Sequence, residues 1–92
     1  MADFLVHDSR DDVGVAVTDL HASQTARGAT LDRKTTLELT ALQDISLGHK
    51  IALKDFAVGD TVFKYGEDIG KVVAQIRKGE HVHVHNLKTK RW

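Results

Sequence analysis

The chain has 92 residues, a formal net charge of zero at pH 7 and no cysteine. This length predicts one small domain over residues 1–92, and the missing cysteine excludes disulfides, thiolate zinc sites and cysteine nucleophiles. The neutral charge argues against general nucleic-acid binding, and no apolar run has the length of a membrane span or signal peptide, so we expect a cytoplasmic protein.

The charges are unevenly distributed although they sum to zero. Residues 1–19 contain five aspartates and one arginine, whereas residues 77–92 contain five lysines or arginines and one glutamate. A basic, histidine-rich end in a neutral protein suits a small acidic ligand better than a duplex. The two ends also attract each other if they lie close together, and the sequence leaves both interpretations open.

Short β-branched runs between glycines predict an all-β domain. The apolar run at 13–18 is typical of a central strand, and the alternation at 36–42 is typical of a half-buried one. Strands are predicted at 3–7, 13–18, 36–42, 50–53, 61–64, 70–76 and 80–86. The polar segment 19–35 is either a loop or contains one short helical turn.

One spacing pattern occurs three times in the sequence. It consists of an apolar residue, a glycine three positions later and a second apolar residue three positions after the glycine. Each occurrence predicts a strand end, a turn whose glycine takes positive φ, and the start of the next strand. The three sets are Ile45, Gly48 and Ile51, then Phe56, Gly59 and Val62, then Ile76, Gly79 and Val82.

The last predicted strand carries His81, His83 and His85 at alternate positions. Successive side chains of a strand point to opposite faces, so these imidazoles would share one face and Val82 and Val84 the other. Histidines two positions apart lie about 6.6 Å apart along a strand, close enough for two of them to bind one metal ion. The row is suited to a metal ion or an anion, or it lies in solvent or in a subunit interface.

A second group is Gly48-His49-Lys50. The glycine permits a tight turn that presents an imidazole beside an ammonium, which together bind a carboxylate and supply an acid or base. Tyr65, in a strand end that runs from Lys64 into Gly66, is either a catalytic acid or an exposed packed ring. The alternative for both groups is a polar turn that faces water.

A third group is His7 with Asp8, Asp11 and Asp12. A carboxylate beside an imidazole fixes its tautomer and raises its pKa, although acidic turns also occur far from active sites. His21 has no partner in the sequence pattern and is assigned to the surface.

Read continuously, these motifs resemble a known family. Residues 45–55 (ISLGHKIALKD), 62–70 (VFKYGEDIG) and 79–89 (GEHVHVHNLKT), with His7 and 12–17 (DVGVAV), are similar to the small N-terminal domain of altronate and galactarate dehydratases. That domain is similar to SAF domains, which adopt a β-clip fold. The resemblance covers nearly the whole chain except 19–35. With its end at Trp92, the chain is expected to be a free-standing small subunit, as in the two-subunit carbon–sulfur lyases of this family.

The resemblance implies part of a lyase active site, inactive without a large catalytic subunit. The reaction would be elimination of water or sulfite from a small 2-hydroxy acid, with a divalent metal, Fe²⁺ in particular, shared with or held by the large subunit. His81, His83 and His85 are the metal candidates on this chain. The implied roles are catalysis for His49, Lys50 and Tyr65, and substrate binding for His7, Lys64, His83 and His85.

The galactarate branch lacks the alternating histidine run. The run is therefore expected to tune substrate choice rather than to be indispensable. Two other classes stay open: a carbohydrate- or anion-binding SAF-like module without catalysis, and a structural subunit that only stabilises a catalytic partner.

Overall fold

The computed structural model describes residues 2–32 and 34–89, and within them it contains nine strands and no helix. The predicted all-β class is therefore confirmed. In chain order the strands are β1 (Phe4–Val6), β2 (Val13–Ala16), β3 (Thr25–Thr30), β4 (Thr36–Thr40), β5 (Lys50–Ala52), β6 (Thr61–Lys64), β7 (Glu67–Val72), β8 (His81–Val82) and β9 (Leu87–Lys88). The described residues include no helical segment with the length and hydropathy of a membrane span.

The strands form two sheets. The larger sheet has six strands in the order β4-β3-β1-β2-β5-β8, and the smaller one has three in the order β6-β7-β9. Strands β1 and β3 run parallel, whereas the other paired strands are antiparallel. The position of β5 between β2 and β8 matters for function, because it places the turn before β5 beside the histidine run that begins in β8.

The three glycine-centred repeats form the three turns that the sequence predicts. In each, the residue after the glycine donates its backbone N–H to the carbonyl three positions earlier: His49 to Ser46, Asp60 to Ala57 and Glu80 to Arg77. The glycines have φ between 88° and 96°, a region that favours glycine over all other residues. The six apolar residues that flank these turns are all buried.

Two predicted strands differ from the observed ones. The strand predicted at 70–76 is shifted to Glu67–Val72, because a tight turn at Tyr65 and Gly66, both with positive φ, closes a hairpin from β6 directly into β7. The strand predicted at 80–86 stops at Val82 and resumes as β9 only at Leu87. The residues between form a turn, whose cause lies in Asn86 and is described with the site.

The segment 19–35 is neither a loop throughout nor helical, because it contains β3, a central strand of the larger sheet. The prediction missed this strand because its buried residues are small: Ala26, Gly28, Ala29 and Thr30. The space above Gly28 is filled by the ring of Phe4 from β1, which is fully buried. A large side chain of one strand thus completes the core over its neighbour.

The buried apolar residues form two clusters. One lies on the larger sheet around Phe4, Leu20 and Ile51, and the other lies around Val13, Phe56 and Val62, between the larger sheet and the hairpin. Strand β2 contributes to both clusters, since Ala16 packs in the first and Val13 in the second.

We expect Gly28→Ala to destabilise the fold, because the added methyl group would overlap the Phe4 ring. Overpacking of this kind costs about 1–3 kcal/mol of unfolding free energy. Urea denaturation at fixed pH measures this cost. In a Phe4→Leu background, where the ring is absent, Gly28→Ala should cost clearly less; equal costs in both backgrounds would contradict the contact.

Candidate functional site

The histidine run does not form a row on one strand face. After Val82 the chain turns, and the buried side chain of Asn86 holds this turn: its Oδ1 accepts a hydrogen bond from the backbone of His83 (2.9 Å) and its Nδ2 donates to the carbonyl of His81 (2.8 Å). Val84, expected opposite the histidines beside Val82, is 76% exposed. The prediction of a continuous strand with alternating faces is therefore wrong.

The turn and the neighbouring strand bring a different histidine into the group. Strand β5 pairs with β8 so that Ile51 lies opposite His81, and the glycine turn before β5 presents His49. Nδ1 of His49 and Nε2 of His81 lie 2.8 Å apart and share a hydrogen, and the rings are stacked. The ring of His83 stacks on that of His49 with centroids 4.6 Å apart.

His49, His81 and His83 will be called the imidazole cluster. Their potential ligand atoms all lie within 4.8 Å of one another. His85 stays outside this set, although its ring centroid is 5.4 Å from that of His81. Among the metal candidates predicted from the sequence, the structure therefore brings together His81 and His83 and adds His49.

The surroundings of His81 favour the neutral form of its ring. Burial lowers the pKa of His81, and the charges of His49, His83 and His85 lower it further. A hydrogen bond between two imidazoles also requires that at least one ring nitrogen be an unprotonated acceptor. Neutral imidazole is the form that binds metal ions, so the donor type and spacing in the cluster fit a divalent cation of the kind the family resemblance implies.

Lys50 and Lys64 form a lysine pair that is separate from the imidazole cluster, because Lys50 lies opposite Val82, on the other face of β5 from His49. Lys50 follows His49 in β5 and is half-buried; burial lowers its pKa, and the positive charge of Lys64 at the end of β6 lowers it further. Among the described residues neither ammonium forms an ion pair with a carboxylate. Two neighbouring cations without an anionic partner form a site suited to a negatively charged ligand.

His7 and Tyr65 form a third group, which lies next to Lys64 because Tyr65 follows that lysine in the chain. Their rings meet edge to face with centroids 3.4 Å apart. Tyr65 has a positive φ of 60°, unusual for a residue with a side chain, and its backbone N–H donates to Oδ1 of Asp11 (2.7 Å). The side chain of Tyr65 is 66% exposed, so its hydroxyl is accessible to a ligand.

The aspartates near His7 have structural partners. Asp8 binds the Arg10 side chain and backbone, and this hydrogen bonding lowers the pKa of Asp8 to about 2. Asp12 exchanges two hydrogen bonds with Phe63, one through its carboxylate (2.8 Å) and one through its backbone N–H (2.9 Å). Asp11 and Asp12 therefore attach the β6–β7 hairpin to the loop after β1, a role that the sequence pattern does not reveal.

Two further features lie outside the histidine, lysine and tyrosine groups described above. His21 is exposed, as assigned from the sequence. An open depression of about 640 Å³ lies against β3 and β4, where it contains the exposed Arg27–Glu38 ion pair but no histidine. Strands β3 and β4 are at the opposite end of the larger sheet from β5 and β8, so this depression does not belong to the histidine and lysine groups.

Comparison with known proteins identifies the family. The sequence-family model of the altronate/galactarate dehydratase SAF domain matches residues 2–90, and the chain therefore belongs to this family. Two relatives are (2R)-sulfolactate sulfo-lyase alpha subunits. The subunit of Chromohalobacter salexigens is 52% identical over 98% of this chain and 97% of its own length. The subunit of Paracoccus pantotrophus is 63% identical over 59% of this chain and 81% of its own length.

A third relative, the altronate dehydratase of Escherichia coli, is 44% identical over 86% of this chain. The match covers only 15% of that longer protein. The family resemblance drawn from the sequence motifs is thus confirmed, including its similarity to the small subunit of (2R)-sulfolactate sulfo-lyase.

We expect Asp11→Ala to weaken the hairpin, because it leaves the backbone N–H of Tyr65 without its acceptor. Loss of this partly buried hydrogen bond to a carboxylate costs about 1–3 kcal/mol of unfolding free energy, which urea denaturation measures. Asp11→Asn keeps an oxygen at this position and should lose less. Asp55→Ala, at an exposed acceptor of the Lys78 N–H, is the matched control. Equal losses for Asp11→Ala and Asp55→Ala would refute the attachment.

Proposed function

We propose that this chain is the small, alpha subunit of a cytoplasmic (2R)-sulfolactate sulfo-lyase, which assembles with a large catalytic subunit. The observation that carries this proposal is the match to an alpha subunit of that enzyme along 98% of this chain and 97% of the relative. The reaction would remove sulfite from (2R)-3-sulfolactate and give pyruvate.

The arrangement of charges supports a substrate with two anionic groups. Sulfolactate carries a carboxylate and a sulfonate, and Lys50 and Lys64 offer two adjacent cations without anionic partners among the described residues. Removal of the C2 proton supplies the electron pair of a new C2–C3 double bond as the C3–S bond breaks and sulfite leaves with its pair. The resulting enol takes up a proton at C3 and loses its hydroxyl proton, which gives pyruvate.

Each candidate residue has a role in this proposal. His49, Lys50 and Tyr65 contact the reacting part of the substrate or its cofactor, and Lys64 binds an anionic group. The remaining three, His7, His83 and His85, border the substrate and set its specificity. A bound divalent cation, Fe²⁺ in this proposal, would act as a Lewis acid on the substrate's carboxylate and hydroxyl.

Exposed apolar side chains support a covering partner. Leu47 precedes the His49 turn, Phe63 and Tyr65 flank Lys64, and Val84 lies between His83 and His85; these four are 46% to 76% exposed. Apolar surface that borders polar groups in this way is typical of a protein–protein interface. We propose that the large subunit covers these side chains and completes the pocket, because none of the candidate lysines and imidazoles is fully buried within this chain.

A second candidate is the small subunit of a sugar-acid dehydratase, which would remove water instead of sulfite. The E. coli altronate dehydratase supports it, although at lower identity and over a small part of that protein. The sulfo-lyase is favoured because its alpha subunit matches this chain from end to end.

The decisive experiment is co-expression of this chain with the proposed large catalytic subunit. The purified complex is assayed for sulfite release from sulfolactate and for dehydration of altronate, with Fe²⁺ and with other divalent metals. We expect sulfite release by the complex and none by either chain alone. Dehydration without sulfite release would favour the second candidate. Full activity of the large subunit alone would leave this chain a structural role and refute the proposal, as would the absence of any complex.

We expect Lys50→Met in the complex to lower kcat/KM for sulfolactate. Loss of a charge-assisted hydrogen bond costs about 1.5–3 kcal/mol, or roughly 10- to 150-fold. Lys71→Met is the control, because Lys71 is an exposed lysine of β7 that has no part in the proposed site. Steady-state kinetics of both variants measure the difference, and a loss as large in Lys71→Met as in Lys50→Met would contradict the assignment.

A further inference from the structure

We propose that His49, His81 and His83 form a metal site of this chain itself, which binds one divalent transition-metal ion through three imidazole nitrogens. The site deepens the lyase proposal by assigning ligands to the small subunit. Its use in catalysis rests on that proposed function, whereas its existence does not.

The distances within the imidazole cluster carry the inference. Two nitrogens bound at right angles to one ion, each at about 2.0–2.1 Å, lie about 3 Å apart. Nδ1 of His49 and Nε2 of His81 are 2.8 Å apart, which matches this spacing, and an ion that replaces their shared hydrogen would require both rings to rotate so that their lone pairs converge on it. The third histidine, His83, has a ligand atom within 4.8 Å of the other two and is exposed, so its side chain is free to close the remaining distance.

The backbone of each ligand is already held in place. The amide of His49 is fixed by its turn, and the amide of His81 donates to Oε1 of Gln43 (2.9 Å). The buried Asn86 side chain bonds the backbone of both His81 and His83. Metal ligands whose backbone positions are fixed in advance lose less entropy when the ion binds.

The donor set indicates the class of ion. Three neutral imidazoles suit Fe²⁺, Co²⁺, Ni²⁺ or Zn²⁺, whereas Mg²⁺ and Ca²⁺ prefer oxygen ligands. Three nitrogens on one side of the ion leave the other positions to solvent, because His83 lies at the surface. These open positions would be available to the carboxylate and hydroxyl of a 2-hydroxy acid or to a ligand from the partner subunit.

The test uses the full chain without an affinity tag and needs no catalytic assay. Calorimetric titration with Co²⁺ or Zn²⁺ should show one ion per chain, and Mg²⁺ should not compete with it. Bound Co²⁺ should give a visible absorption band and should broaden the imidazole NMR signals of the three ligands but not that of His21. This second measurement keeps the proposal testable even if a variant fails to fold.

Substitutions identify the ligands. Loss of a residue that only orients a metal ligand lowers metal affinity by roughly 10- to 100-fold. We therefore expect at least this loss of Co²⁺ affinity when a ligand itself is replaced, in His49→Gln, His81→Gln or His83→Gln. His21→Gln is the surface control and should bind as the unchanged chain does. His85→Gln separates this site from the alternating row, and it should also leave binding unchanged.

Three results would overturn the site: no stoichiometric binding, broadening of His21 equal to that of the cluster, or a loss in His85→Gln as large as in His49→Gln. Failure of the lyase proposal is distinguishable from these. A chain that binds Co²⁺ through the three histidines but forms a complex inactive on sulfolactate would keep the metal site and refute the sulfo-lyase function. An active complex whose small subunit binds no metal would do the reverse.

Discussion

The attachment of the small hairpin to the larger sheet by Asp11 and Asp12 is the interaction on which the rest of the site depends. Both side chains are buried, and their carboxylates accept the backbone N–H groups of Tyr65 and Phe63. A shift of the hairpin along its own axis would break both of these partly buried hydrogen bonds, at a cost of about 1–3 kcal/mol for each bond. These bonds therefore fix Lys64 and Tyr65, which the hairpin carries, relative to the larger sheet.

The parts of the fold that the sequence predicts are those with local causes. The glycine turns are specified by one residue each, since only glycine takes a φ near 90° without strain, and the flanking apolar residues fill the core. Strand β3 has no such local signal, because the side chain that covers Gly28 belongs to β1, more than twenty positions earlier. A pattern of small residues predicts a strand only when the large residue that packs over it is known.

The candidate site shows the same division between residue type and placement. Sequence patterns identify His49, Lys50, Lys64 and the histidine run by their chemistry, and the fold assembles them into two groups, the imidazole cluster and the lysine pair. The sequence patterns do not reveal that His49, rather than His85, joins His81 and His83, because this grouping depends on the pairing of β5 with β8. The sequence does contain one sign of the turn: Asn86 at the end of the run, since asparagine side chains compete with strand partners for backbone groups.

The imidazole cluster and the lysine pair have opposite preferences, and the strand pairing separates them. Neutral ring nitrogens attract a metal cation, whereas the two ammonium groups favour an anion and repel a second cation. Alternation along β5 places His49 on the face of Ile51, opposite His81, and Lys50 on the other face, opposite Val82. The strand itself would therefore separate an ion bound by the imidazoles from the Lys50 ammonium. In the proposed lyase, the carboxylate and hydroxyl oxygens of a 2-hydroxy acid would complete the coordination of that ion, so metal and substrate affinities in the assembled enzyme should be linked, each increasing the other by the same factor.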